Sequence, residues 1–142
     1  MATQVNQSFT VSNPDSAWGT VTDVNKLVAC VPGAKVVSAD SPTKATAEID
    51  VKMGSMGMKF KGPVEIVEQD AGSKRAVIRA NAKEAGGQSN ADGTITITIG
   101  GDGGKIDGTA NVSGKAASMG EGTIQAVLTQ LVEQFSQNVA KA

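Results

Sequence analysis

The chain has 142 residues, with 13 basic and 14 acidic side chains, a net charge of −1 and no histidine. That length fits one domain, residues 1–142, in which folding buries about 68–70% of the unfolded chain's surface and a core forms without staples. The balanced charge and few, scattered aromatics (Phe9, Trp18, Phe60 and Phe135, with no tyrosine) lack the basic stripe and stacking platform of a nucleic-acid binder, and the missing histidine excludes serine-triad and cysteine–histidine chemistry.

Met1 to Ser12 has neither the basic nor the apolar stretch of a signal peptide, and Gln4–Ser12 reads as a first strand, with Val5, Phe9 and Val11 apolar. Asn13-Pro14-Asp15 starts a helix, because the capping side chain and a proline in the first turn both suit orphan N–H groups. Two short helices are expected, Pro14–Thr22 and Asp23–Cys30, with Trp18, Val21, Leu27 and Val31 on their apolar side; Pro32-Gly33 ends the second. Cys30 is the single cysteine, so no internal disulfide and no zinc site of ordinary composition can form, which suits a reducing cytosol.

From Lys35 the period is two. Lys44–Met53 places Ala45, Ala47, Ile49, Val51 and Met53 on one face; Gly54–Gly57 turns the chain; Met58–Glu68 continues with Met58, Phe60, Gly62, Val64 and Ile66 inward. Lys74–Lys83 alternates Ala76, Ile78, Ala80 and Ala82 with polar residues, and Thr94–Gly100 alternates Ile95, Ile97 and Ile99 with threonines. After Gly100–Gly104, the residues Ile106, Gly108, Ala110 and Val112 share a face. Short turns between successive strands imply an antiparallel meander. The period then becomes helical: Ile124, Val127, Leu128, Leu131, Val132, Phe135 and Val139 form one stripe. No apolar run reaches the ~20 residues of a membrane span, so a soluble domain is expected that meets any membrane from the side.

The inward sheet face is unusually small, with Ala45, Ala47, Gly62, Ala76, Ala80, Ala82, Gly108 and Ala110 on it. Interiors pack at about 0.74–0.76 density. Either the sheet closes tightly onto the last helix or space remains for a guest, and the pattern alone leaves both open. Met53, Met56 and Met58 around one tight turn either fill gaps or form an adaptable apolar lip. The run Gly100-Gly101-Asp102-Gly103-Gly104-Lys105 is read as a hairpin turn rather than a phosphate loop, since strands flank it and Ile106 follows the lysine. Glu48, Asp50, Glu65 and Glu68 read as solvated positions, and Arg79 faces outward.

Trp18, Leu27 and the string Cys30-Val31-Pro32-Gly33, followed by Val51-Lys52-Met53-Gly54, Lys59-Phe60-Lys61-Gly62 and Gly114-Lys115 before a closing helix with Leu131 and Phe135, resemble the CoxG family of carbon monoxide dehydrogenase proteins from about Phe9 to Phe135. The resemblance implies an α+β, START-like (SRPBCC) helix-grip fold: a curved antiparallel β-sheet wrapped around a long C-terminal α-helix, with two short helices after the first strand. It favours the hollow over the tight core. It also implies a non-catalytic accessory protein beside a molybdenum-containing carbon monoxide dehydrogenase, cytoplasmic and peripheral at the inner face of the membrane. Some relatives carry a linker and apolar tail beyond the closing helix; this sequence ends at Ala142, leaving open a tail-less protein or part of a longer one.

No covalent or metal cofactor is expected. The expected ligand is a respiratory quinone such as menaquinone, or another isoprenoid lipid, held by Leu27, Cys30 and Val31 at one end, by Met53, Met58, Phe60, Ile78, Ile95, Ile97 and Val112 on the sheet, and by Met119, Ile124, Leu128 and Leu131 on the helix side, with Met56 at the entry lip. Rival readings are an assembly or docking factor for the dehydrogenase without ligand transfer, a generic binder of apolar small molecules, and a polyketide-type cyclase or hydrolase. The last calls for an inward His, Tyr, Arg or carboxylate.

Overall fold

The computed structural model describes residues 2–53, 55–101 and 103–142, and the side chains of Met53 and Met56 lie outside what it describes. Strand β1 (Ala2–Phe9) is followed by helices α1 (Pro14–Val21) and α2 (Val24–Ala29). Six strands come next: β2 (Ala34–Ser41), β3 (Lys44–Met53), β4 (Met56–Asp70), β5 (Arg75–Glu84), β6 (Ser89–Ile99) and β7 (Gly104–Gly114). A short helical turn at Lys115–Met119 leads into α3, Glu121–Lys141. The strands form one antiparallel seven-stranded sheet in the order β1-β7-β6-β5-β4-β3-β2. Its concave face holds α3, and α1 and α2 cover one end.

Local chemistry explains the helix starts. The Asn13 carboxamide accepts the Ser16 N–H at 3.1 Å ahead of Pro14, and the Asp23 carboxylate accepts the Asn25 N–H at 2.9 Å. Gly33 turns the chain out of α2 with φ +78°, and its carbonyl accepts the Asp50 N–H at 3.1 Å, tying the turn to β3. Gly62 lets β5 come close: a Cβ there would strike the Asn81 carbonyl and sit 2.9 Å from the Ala82 Cα. β4 starts at Met56, inside the turn expected at Gly54–Gly57, and the larger differences from the sequence reading fall in β6 and β1. β6 starts at Ser89 rather than Thr94, and β1 ends at Phe9, leaving Val11 to bury itself in the following loop. Ser, Asn, Asp and Gly are poor strand formers, but Asn90–Gly93 is paired on both sides, to β5 and to β7. Pairing overrides propensity there.

The interior divides into two apolar clusters. One lies under α1 and α2 and includes Val21, Val24, Ile66, Ile97, Ile99, Ile106, Phe135 and Val139. The other, near the start of α3, joins Val51, Met58, Phe60, Val112, Ala116 and Ile124. On the convex face, Lys35 Nζ meets Glu48 Oε1 at 3.1 Å across β2 and β3. That hydrogen bond, with Lys59 and Lys61 nearby, holds the Glu48 carboxyl below its ordinary value near 4.5 against the opposing effect of burial. Because the folded value is depressed, the pair's contribution is complete above the unfolded value and is lost as pH falls through the folded one. The stability gap between the parent and Glu48→Gln is therefore expected to narrow between about pH 7 and about pH 3. Urea midpoints across that range measure it, and a constant gap would remove the electrostatic explanation.

Candidate functional site

Between the two clusters a row of the concave face carries only small residues. Val64 pairs with Ala80, Ala80 with Gly93, and Gly93 with Ala110, so register aligns three near-empty positions in one row across β5, β6 and β7. Ala80 remains exposed although it points inward.

The result is a cavity of about 250 Å³ lined by Val5, Leu27, Val28, Val31, Val64, Ile78, Ala80, Gly93, Ile95, Gly108, Thr109, Ala110, Leu128, Leu131, Val132 and Phe135. An apolar cavity of about 150 Å³ stays dry and takes a benzene ring. This one has room for a fused pair of rings or a short branched chain. Thr109 is the sole polar residue among the described residues of the wall, and it alternates with the inward Gly108 and Ala110, also borders a groove on the convex face and is exposed. The wall therefore offers contact area and almost no hydrogen bonding. Leu131 also borders an outer groove formed by Pro32, Gly33, Asp50, Val51, Lys52, Val127 and Gln130, and so stands between the hollow and the surface.

The structure brings six of the expected ligand residues to this wall: Leu27, Val31, Ile78, Ile95, Leu128 and Leu131. The others it places elsewhere. Met58, Phe60, Val112 and Ile124 are buried in the second cluster with Met119 packed against it, filling that end of the sheet with their own atoms. Ile97 is fully buried in the first cluster. Cys30 is buried at the end of α2, where its carbonyl accepts the Asn138 side-chain N–H at 2.8 Å and links α2 to α3. Met53 and Met56 fall outside the described side chains, as does the expected Met56 lip. Val5, Val28, Val64, Gly108, Thr109, Val132, Phe135 and the row Ala80, Gly93 and Ala110 complete the wall. Phe135 and Val132 were visible in the helical stripe, and Ala80, Gly108 and Ala110 in the small-residue face; Val28 and Gly93 carried no distinguishing signal.

Burial pushes the Cys30 thiol up from its ordinary value of 9.0. Since the thiolate is the reactive form, labelling by a thiol reagent at about pH 8 is expected to run at least about tenfold slower in the folded protein than in urea. Equal rates would mean that Cys30 is reached from solvent. Glu84 is a carboxylate on the concave face, opposite Phe60, with Oε1 buried and without a hydrogen-bond partner. It lies outside the cavity wall. Among the described residues no cluster of His, Cys, Asp or Glu could hold a metal ion.

The family model for CoxG of carbon monoxide dehydrogenase matches residues 8–142. The chain belongs to the CoxG family. No curated protein sequence matches significantly. Among solved structures, a conserved protein from Geobacillus kaustophilus aligns with TM-score 0.76 at 19% identity, covering 99% of this chain and 93% of that one. An aromatase/cyclase, Zhui, from a Streptomyces species gives 0.65 at 11% identity, covering 99% and 93%. Norcoclaurine synthase from Thalictrum flavum, in truncated form, gives 0.61 at 12%, covering 99% and 92%. At such identities the likeness is one of fold. This CoxG-family chain has the START-like helix-grip architecture, with its hollow between sheet and closing helix.

Proposed function

We propose that this CoxG-family protein is a non-catalytic partner of an aerobic, molybdenum-containing carbon monoxide dehydrogenase and carries a respiratory quinone such as menaquinone, linking the enzyme to the membrane. The observation that supports it is the hollow of about 250 Å³ with an almost wholly apolar wall. Carbon monoxide oxidation releases electrons that must reach a lipid-dissolved carrier, and a soluble pocket can lift such a carrier out of the bilayer. Burying the ring or part of an isoprenoid tail at about 25 cal/mol per Å² offsets several kcal/mol of the cost of leaving lipid. The volume takes only part of a long-tailed quinone, so the remainder would leave past Leu131 into the outer groove. No side chain on the wall is suited to general acid–base work. No helix of the described residues is long and apolar enough to cross a membrane, so in this reading contact is peripheral. Lys59 and Lys61, on the outer face of β4, are cations suited to anionic headgroups.

Native mass spectrometry of the purified protein, followed by organic extraction, tests the proposal. A bound quinone or isoprenoid is the expected result. Protein that is empty, fails to take up naphthoquinone and still captures the dehydrogenase would replace the carrier with a docking factor.

A further inference from the structure

The hollow offers almost no hydrogen bonding, but the groove it meets at Leu131 has an open stretch of backbone. Leu131 lines both, and on its β3 side the groove is bordered by Asp50, Val51 and Lys52. Strand β2 pairs with β3 from Lys44 to Ile49, and the Asp50 N–H is then taken by the Gly33 carbonyl at 3.1 Å. Backbone groups two residues apart on a strand point to the same side, so the Lys52 N–H and C=O face that same edge. Carried on, the β2 register would set Val31 opposite Lys52. Both backbone groups of Val31 are engaged in its own turn instead: its N–H donates to the Val28 carbonyl at 3.0 Å, and its carbonyl accepts the Ala34 N–H at 3.1 Å. Among the described residues no strand or turn pairs with Lys52 at this edge.

We infer that the open β3 edge at Lys52 is the polar subsite of the ligand: the hydrocarbon part fills the hollow, and an oxygen at its end hydrogen-bonds the Lys52 backbone in the groove beyond Leu131. Inside the hollow that oxygen would be buried unpaired, which is costly. The edge presents a donor and an acceptor side by side, so it suits a carbonyl and a hydroxyl alike. The ligand class is a branched or isoprenoid hydrocarbon with one oxygen-bearing end, carried hydrocarbon end first. In a quinone the oxygen-bearing end is the ring, which this places on the outer side of Leu131. The inference rests on the hollow being the binding site and adds which end of the ligand stays outside it.

The test compares geraniol with myrcene, which share a branched isoprenoid skeleton and differ in the terminal hydroxyl, by calorimetric titration of the parent, Lys52→Pro and Lys52→Ala. Lys52→Pro loses the backbone N–H at an edge position, where proline is tolerated; Lys52→Ala loses only the side chain. Lys52→Pro is expected to bind geraniol roughly three- to tenfold more weakly, the range of one net hydrogen bond, and to bind myrcene unchanged. Lys52→Ala is expected to match the parent with both probes. In the parent, geraniol and not myrcene is expected to slow hydrogen exchange of the Lys52 amide, a reading that stands even where the proline variant fails to fold. Equal losses for both probes in Lys52→Pro, the same geraniol loss in Lys52→Ala, or a Lys52 amide that geraniol leaves unprotected would overturn the subsite while leaving the hollow as the binding site. If the parent bound neither probe, the hollow reading itself would fall, and the subsite with it.

Discussion

The Ala80→Phe variant is expected to bind naphthoquinone weaker than the parent by about a hundredfold or more while unfolding at the same temperature or higher. Ala80 lines the hollow and is exposed there. A new aromatic side chain there fits, since about 150 Å³ suffices for a benzene ring and about 250 Å³ is present. A two-ring ligand buries about as much surface as a large aromatic side chain, ~150–250 Å², worth about 4–6 kcal/mol at ~25 cal/mol per Å². Most of that is forfeited once the space is taken. The same enlargement at Ile97 should behave in the opposite way. Ile97 is fully buried among packed neighbours, so Ile97→Trp overpacks the core, costs about 1–3 kcal/mol and leaves the hollow in place. Undiminished uptake by Ala80→Phe, measured by calorimetry alongside a thermal melt, would show that the ligand binds elsewhere.

The Phe135→Ala variant is expected to lose about 3–5 kcal/mol of stability, lowering the melting temperature by roughly 10 °C at about 3 °C per kcal/mol for a domain of this size. Phe135 is 4% exposed and is both a member of the larger cluster and part of the cavity wall. Its removal takes away the main aromatic contact between α3 and that cluster and opens new space continuous with the hollow. The variant should therefore accept a ligand one ring larger than the parent does. A melting temperature within about 2 °C of the parent would mean that α3 is held elsewhere, since the expected cost is several-fold larger. The candidates would be the Gln125 side-chain N–H to the Gln4 carbonyl, 3.0 Å, and Asn138 to the Cys30 carbonyl, 2.8 Å.

The wall and the second cluster look alike in sequence. Met58, Phe60 and Val112 alternate with polar neighbours as regularly as Ile78 and Ile95 do, yet the first three are packed against Ile124 and the last two face the hollow. Alternation reports which face a residue takes, because successive side chains point to opposite sides of a strand. It does not report the row. That depends on how far each strand has slid past its neighbour, which no single strand encodes.

The sequence by itself determined the strand and helix periods, the two capped helices after β1, the inward face of most strands and the absence of histidine chemistry. All of these are local, or follow from composition. Tertiary structure alone decided where the empty space falls. Asn90–Gly93, unpromising as a strand, is recruited by pairing on both sides, and that pairing sets Gly93 between Ala80 and Ala110. Scattered small residues leave only minor gaps that neighbours can fill. Aligned in one row beneath a helix held away by bulk at both ends, they leave a cavity.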